Sequence, residues 1–120
     1  MKEIYCIDAE VTFISASNGG RKTLPSILGC VYRPHIVIGD PEQRQPNLTD
    51  GNYIEELMLG VCFVSGPSII EFKKKFIAQM GLIYWPSESY DSVISGATFT
   101  IREGGTIVGF GRVLDCPRIV

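Results

Sequence analysis

Two runs in which apolar and polar residues alternate flank a Gly-Gly pair in residues 99–111, which read FTIREGGTIVGFG. Because glycine adopts positive φ angles without steric cost, Gly104 and Gly105 between such runs predict a tight β-hairpin. Gly109 and Gly111 lie inside the second run and indicate a bulge or a sharp bend, as a sheet needs where it curls into a barrel. This segment therefore predicts that the chain contains antiparallel β-structure.

The position of the turn also predicts which side chains share a face. With the Gly-Gly pair as the turn, Ile101 would pair with Val108 and Phe99 with Phe110, and these four side chains would pack into the core. We expect the opposite face of the hairpin to meet water or a partner. That face comprises Thr100, Arg102, Ile107 and Gly109.

The size and composition of the chain limit what it can be. It has 120 residues, of which 45% are hydrophobic and 20% are charged. These values predict one globular domain over residues 1–120, with enough apolar surface to form a core. The formal net charge of −2 excludes a protein that attracts nucleic acid through its overall charge, so any RNA contact would need a local patch.

The N-terminal residues do not have the pattern of a secretory signal, because Lys2 and Glu3 are followed closely by Asp8 and Glu10. The longest apolar run, residues 57–64, is much shorter than the roughly 18 residues of a membrane-spanning helix. We therefore expect a cytoplasmic protein that does not contact membranes.

The four cysteines are far apart in the sequence and form no C-x-x-C motif. They are Cys6, Cys30, Cys62 and Cys116. With His35 as the sole histidine, they do not have the spacing of a metal site, so we expect no bound metal. In a reducing compartment we expect small buried apolar residues and not disulfide partners.

The first half of the chain predicts two extended segments. Residues 9–14 are rich in β-branched and aromatic side chains and predict a strand, which the Ser- and Gly-rich residues 15–20 end. The chain becomes extended again across 27–38. Within it, Pro34 predicts a strand edge or a bend near Arg33, because proline cannot donate to a ladder.

The sequence at the centre of the chain does not distinguish strand from helix. Residues 57–64 predict a buried strand, although a buried helix has the same apolar character over so short a run. In residues 69–80, apolar side chains recur at helical spacing and the lysines lie largely on other faces. This segment is compatible with an amphipathic helix or with a strand.

No catalytic or nucleotide-binding motif is complete. Residues 20–23, GRKT, look like part of a phosphate-binding loop, but that motif requires glycine directly before lysine, and Arg21 separates them. No serine lies in a G-x-S-x-G motif, and His35 has no identifiable nucleophilic partner. We expect a protein that is not an enzyme and that needs no cofactor or nucleotide.

The hairpin sequence is similar to the last hairpin in the C-terminal β-barrel domain of the translation elongation factor Tu family, which typically reads F-A-I-R-E-G-G-R-T-V-G-A-G. Residues 9–11, 19–23 and 32–35 follow the order and approximate spacing of that family's A/S-E-V, G-G-R-H-T and Y-R-P-Q motifs. The resemblance covers residues 8–38 and 97–114. Between these regions, residues 40–47 are a polar, proline-flanked loop where the family has a threonine-rich strand.

This resemblance implies an all-β fold: a small closed antiparallel barrel of six strands with Greek-key-like connections, present as a stand-alone domain. It also favours a strand at 69–80, since residues 81–86 look similar to a stretch that follows a strand in the family.

In the family, this domain contacts the T-stem of aminoacyl-tRNA and also the nucleotide exchange factor. The resemblance therefore implies a binding module for tRNA or for a translation factor. The implied RNA-binding residues are Arg21, Lys22, Arg33, His35, Glu103, Gly104 and Gly105. Lys22 and His35 replace a histidine and a glutamine of the family, and the alternative is that Arg21 and Arg33 are ordinary solvated loop charges.

A competing interpretation is a protein-interaction module, such as an immunity or regulatory protein that mimics the elongation factor to neutralise a toxin. Tyr84, Trp85 and Tyr90 are residues that interfaces favour. Core packing of these three aromatic side chains is the alternative.

Overall fold

The computed structural model describes residues 3–115 and 117–120. In chain order, its elements are β1 (Tyr5–Phe13), a 3-10 turn (Ala16–Asn18), β2 (His35–Ile38), β3 (Leu59–Ser65), β4 (Phe76–Leu82), β5 (Thr98–Glu103), β6 (Thr106–Val113) and β7 (Arg118–Ile119). No helix in the described part of the chain is long and apolar enough to cross a membrane.

The strands form a closed antiparallel barrel. Their order around it is β4-β3-β2-β5-β6-β1, and β1 pairs with β4 to close it. β7 continues along β1 beyond the end of β6, where Tyr5 pairs with Ile119. The six-stranded, Greek-key-like barrel predicted from the sequence is confirmed, with one short additional strand.

β1 shows how the sequence produces the barrel. Ile7, Ala9, Val11 and Phe13 are fully buried, whereas the residues between them are partly exposed. This alternation is expected for a strand that has one face in a core. The strand begins at Tyr5, earlier than predicted.

The segment 69–80 contains no helix, and only its second part is a strand. Residues 69–75 precede β4, in which Phe76, Ala78 and Met80 alternate into the core. The predicted strand at 57–64 is likewise present as β3.

The extended segment 27–38 contains a shorter strand than its sequence indicates. β2 has four residues and begins directly after Pro34. The proline carbonyl accepts a hydrogen bond from the backbone N–H of Val61 at 3.0 Å, so the chain still reaches β3 at this point.

The β5–β6 hairpin has the predicted turn but a different register. Glu103 lies opposite Thr106 as expected. Beyond the next pair, Arg102 with Ile107, the register shifts by one residue at a bulge, so that Ile101 pairs with Gly109. The bulge indicated by the glycines is therefore present, and the predicted pairing of Ile101 with Val108 is wrong.

The bulge turns Phe110 away from the core. Phe99 pairs with Gly111 instead, and a Cβ at Gly111 would lie 2.8 Å from the Phe99 ring, so the missing side chain makes room for that ring. Phe99, Ile101 and Val108 are buried as predicted. Phe110 is partly exposed on the outer surface, and its predicted place in the core is wrong.

The outer face of the hairpin, which the sequence predicts to meet water or a partner, is buried. Thr100, Arg102 and Ile107 are 1%, 0% and 3% exposed. Residues 40–57, which we call the crossing loop, reach this face, where a Glu56 carboxylate oxygen lies 2.7 Å from the Arg102 guanidinium. The loop was predictable at 40–47, but its position over the sheet was not.

Two cysteines form a disulfide, so the expectation of four unpaired thiols is wrong. Cys30 is bonded to Cys62, with their Cα atoms 4.9 Å apart. They meet because the backbone N–H of Cys30 donates to the carbonyl of Phe63 at 2.8 Å, which holds this segment alongside β3. Cys6 is a buried free thiol, and Cys116 lies outside the described residues.

Candidate nucleic-acid interface

Two of the predicted RNA-binding residues, which come from opposite ends of the chain, meet at the tip of the β5–β6 hairpin. The Nε atom of Arg21 lies 3.0 Å from a carboxylate oxygen of Glu103. The loop after β1 places Arg21 there, because its backbone N–H donates to the carbonyl of Ile14 at 2.9 Å. This return requires Gly20, since a Cβ at that position would collide with the Ile14 backbone.

Tyr32 completes the contact. The Arg21 guanidinium lies 5.1 Å from the centroid of the Tyr32 ring, and the Tyr32 hydroxyl donates a hydrogen bond to the Glu103 carboxylate. We call Arg21, Tyr32 and Glu103 the tip cluster. Burial, and then the hydrogen bond to Glu103, raise the pKa of Tyr32, so the hydroxyl keeps its proton and remains a donor.

The tip cluster is built on one end of the barrel core. The Tyr32 ring stacks on Phe63 with their centroids 5.6 Å apart, and it lies 6.1 Å from the ring of Phe13. The disulfide at Cys30 fixes the chain close before Tyr32. The cluster therefore presents an arginine whose orientation is set by rigid neighbours.

The charged groups of the cluster remain partly accessible. The side chains of Arg21 and Glu103 are 24% and 36% exposed. The Nη1 atom of Arg21 is buried and has no hydrogen-bond partner among the described residues, which is unusual because a buried donor without a partner costs roughly 1–3 kcal/mol. The ion pair therefore uses only part of the hydrogen-bonding capacity of the guanidinium.

The glycine turn beside the cluster is open. Gly104 has a φ angle of +59°, which favours glycine there. Both Gly104 and Gly105 are exposed, and a Cβ built on either would meet nothing within 4 Å. Lys22, which follows Arg21, is also exposed. A ligand can thus approach the backbone of the turn closely.

The other two predicted RNA-binding residues lie at the margin of this surface. Arg33 is exposed, and its Nε atom donates to the carbonyl of Cys30 at 3.0 Å. His35 is the first residue of β2 and lies opposite Arg102, which directly precedes Glu103 in β5. Within the part of the chain that the structure describes, neither forms a hydrogen bond or an ion pair with the tip cluster.

Tyr32 is the one member of the tip cluster that the sequence did not indicate as a site residue. It belongs to the Y-R-P motif that supports the resemblance, and that motif was the available signal. Its partner Glu103 is 71 residues away, so the contact appears only when the barrel closes.

The three aromatic residues proposed for a protein interface divide into two groups. Tyr84 and Trp85 are 51% and 41% exposed, and the Trp85 ring stacks on Tyr5 at 4.3 Å. Tyr90 is 5% exposed, and its hydroxyl donates to the carbonyl of Gly60 at 2.7 Å. Tyr90 is therefore a core residue, as the core-packing alternative holds.

Among residues 3–115 and 117–120, no three His, Cys, Asp or Glu side chains are grouped so that they could hold a metal ion.

Comparison with known proteins gave no match, either to a protein-family model or to a curated protein. Any function must therefore be inferred from the fold, the tip cluster and the chemistry of the surface around it.

Proposed function

We propose that this chain is a non-catalytic binding module that contacts tRNA, or an RNA of the translation apparatus, through the tip cluster and the adjacent glycine turn. The observation that carries the proposal is the contact between Arg21 and Glu103. The resemblance to the C-terminal domain of elongation factor Tu assigns both positions to tRNA binding, and they are neighbours here although the chain separates them widely.

The chemistry of the surface suits a folded RNA. Phosphates and 2′-hydroxyls are the groups through which proteins hold such RNAs. Arg21 and the exposed Lys22 supply two cations for phosphates. The open backbone at Gly104 and Gly105 allows a ribose to approach, and the Glu103 carboxylate accepts a hydrogen bond from a 2′-hydroxyl.

The small number of cations sets the expected strength. Two phosphate contacts give a logarithmic salt slope of roughly −1.5 to −2, so the affinity should fall about tenfold between 50 and 200 mM salt. Binding at physiological salt is therefore expected to be weak on its own, as suits a module that acts together with other contacts.

Fluorescence anisotropy with labelled tRNA at these two salt concentrations tests the proposal. Arg21→Ala should lower the affinity and reduce the salt slope by about one. Arg118→Ala is the matched control, because Arg118 is also partly exposed and pairs with a carboxylate, Asp8, at 3.0 Å. A wild-type protein that does not bind, or equal losses in both variants, would overturn the proposal.

A second candidate is binding of a protein partner, such as a toxin that recognises elongation factors. The exposure of Tyr84 and Trp85 beside Tyr5 favours it. The distinguishing result is one stoichiometric protein that Trp85→Ala no longer binds and Arg21→Ala still binds. A partner that Trp85→Ala still binds and Arg21→Ala no longer binds would exclude the aromatic surface as the binding site.

The proposed location is the cytoplasm, where translation takes place. The disulfide tests this location, because cytosolic reductants keep most thiols reduced. Alkylation of intact cells before lysis should label Cys30 and Cys62 if the protein is cytoplasmic. Complete protection of both residues would assign the protein to an oxidising compartment.

A further inference from the structure

Phe110, which the bulge turns outward, lies between two cavities on the outer surface of β1 and β6. One cavity, about 260 Å³, extends from Phe110 to Lys75 and Arg112. The other, about 320 Å³, extends from Phe110 to Arg44 and Lys73. Each is close to the lower end of the range for small-ligand sites, roughly 300 Å³. None of these residues belongs to the tip cluster.

The side chains around the two cavities are strongly basic. The cations are Arg44, Lys73, Lys75 and Arg112, and Glu10 is the one acidic residue among the described residues that line either cavity. We call these five residues together with Phe110 the Phe110 patch. Four positive charges and one negative charge in a protein of net charge −2 make a local field that attracts anions.

Glu10 neutralises only part of this charge. Its carboxylate lies 2.6 Å from Arg112 and 3.0 Å from Lys75. Hydrogen bonds from Arg112 and then Lys75 lower the pKa of Glu10, so it is ionised and holds both cations in place. Within residues 3–115 and 117–120, Arg44 and Lys73 have no ion pair with a carboxylate.

The Arg44 guanidinium lies over the phenyl ring of Phe110, 5.0 Å from the ring centroid. Nη1 donates to the carbonyls of Pro41 at 2.7 Å and Gln43 at 2.9 Å, which fixes the plane. Arg44 is exposed, so the solvent side of its guanidinium is available for stacking.

We propose that the Phe110 patch binds single-stranded nucleic acid. A base stacks on the Arg44 guanidinium, which Phe110 supports from below, and the flanking phosphates lie near Lys73 on one side and near Lys75 and Arg112 on the other. Positive side chains beside a stacking platform are how proteins hold single strands without reading their sequence. Bases within a duplex cannot reach such a platform, which favours an unpaired strand.

The platform distinguishes this ligand from other polyanions. Charge alone would attract inorganic polyphosphate or an acidic peptide equally well. A planar guanidinium on an aromatic ring adds affinity only for a ligand that has its own flat ring. Binding of a base should therefore depend on Arg44 as arginine and on Phe110 as an aromatic residue.

Fluorescence anisotropy with a short labelled oligouridylate tests the proposal, with melting curves to confirm that each variant is folded. Phe110→Leu removes the aromatic ring and keeps the apolar bulk, and Arg44→Lys removes the planar guanidinium and keeps the charge. Each should weaken oligouridylate binding about fivefold or more. Lys73→Gln should reduce the salt slope by about one. Lys74→Gln is its matched control, because Lys74 pairs with Glu71 at 3.0 Å and lines neither cavity.

Several results would overturn the proposal. They are an absence of oligouridylate binding, equal effects of Lys73→Gln and Lys74→Gln, and competition by polyphosphate with no effect of Phe110→Leu or Arg44→Lys. Arg21→Ala separates this site from the proposed tRNA surface. This substitution should leave oligouridylate affinity unchanged. A lower affinity would show that the single strand binds at the tip cluster and not at the Phe110 patch.

Discussion

Arg102 and Glu103 are neighbours in β5, and each forms an ion pair with a distant part of the chain. The two pairs differ in burial and in the number of hydrogen bonds that their side chains form. Arg102 and its partner Glu56 are 0% and 6% exposed in their side chains. Arg21 and Glu103 are 24% and 36% exposed. Adjacent residues of β5 thus belong to a buried ion pair and to a partly exposed one.

The buried pair has its hydrogen-bonding groups occupied. Two guanidinium nitrogens of Arg102 donate to the two Glu56 oxygens at 2.7 and 3.0 Å, and its Nε donates to Thr100 at 2.8 Å. Gln43 and the backbone N–H of Asn47 also donate to Glu56. This network anchors the crossing loop and gives each guanidinium nitrogen of Arg102 a partner. The tip pair, by contrast, leaves part of both side chains accessible to a ligand.

Burial, and not charge, separates the roles of the two pairs. A buried ion pair whose groups are all hydrogen-bonded is costly to break, because loss of one partner leaves an uncompensated charge. A partly exposed pair contributes little to stability and can exchange its partner for a ligand at low cost. The first fixes the fold and the second is available for binding.

The largest expected effect is the loss of the buried pair. Glu56→Gln should lower the free energy of unfolding by about 3–5 kcal/mol, because Arg102 would stay buried without a counter-charge. Urea denaturation measures the effect. The control is Glu55→Gln at the exposed neighbouring position, which should change stability little. If Glu56→Gln and Glu55→Gln both changed the free energy of unfolding only slightly, the Arg102–Glu56 pair would not stabilise the fold as described.

Loss of the disulfide should have the next largest effect. The Cys30–Cys62 bond joins residues 32 apart, and the double variant Cys30→Ser with Cys62→Ser should lose about 3–4 kcal/mol through loop-closure entropy. Reductant should destabilise the wild type and leave the double variant unchanged, and an effect on both would contradict this assignment.

Acid should weaken the buried pair selectively. Hydrogen bonds from Arg102 lower the pKa of Glu56 from 4.5 to about 2. Because the folded-state pKa is the lower one, the contribution is complete above about pH 4.5 and is lost as the pH falls towards 2. Wild type and Glu56→Gln should therefore converge in stability between these values. A constant difference throughout this range would exclude Glu56 as the titrating group.

The smallest effect on stability is expected at the tip. Glu103→Ala should cost about 1–2 kcal/mol, because its ion pair with Arg21 is partly exposed and adds little, whereas the Tyr32 hydroxyl loses its acceptor. The same substitution should lower tRNA affinity, since Arg21 loses the carboxylate that orients it. Parallel melting curves and tRNA titrations check both expectations. A large loss of stability would make the tip pair a structural element like the buried one.

Much of the barrel was predictable because its strands follow local rules. The turn at Gly104 and Gly105, the alternation of β1 and the break before β2 at Pro34 all depend on neighbouring residues. The one-residue shift in β6 was not predictable from alternation alone. Gly109 and Gly111 indicated a bulge, but only the packed core shows that the Phe99 ring takes the place of a side chain and turns Phe110 outward.

The burial of the outer face was not predictable for a different reason. Arginine is almost never fully buried unless it is paired, so Arg102 was expected to be exposed, and its partner Glu56 lies 46 residues away in a loop. The disulfide also depends on the closed barrel. The resemblance to a known family names Arg21 and Glu103 as binding residues, whereas their contact, the role of Tyr32 and the Phe110 patch required the structure.

The most direct test of the contrast between the two ion pairs is a ¹⁵N NMR titration of the labelled protein with tRNA. We predict shifts at the amides of Arg21, Lys22 and residues 103–106, with Glu56 and Arg102 unchanged. An absence of shifts, or shifts confined to residues 84–85 or to the buried pair, would contradict the assignment of the tip pair to binding and the buried pair to the fold.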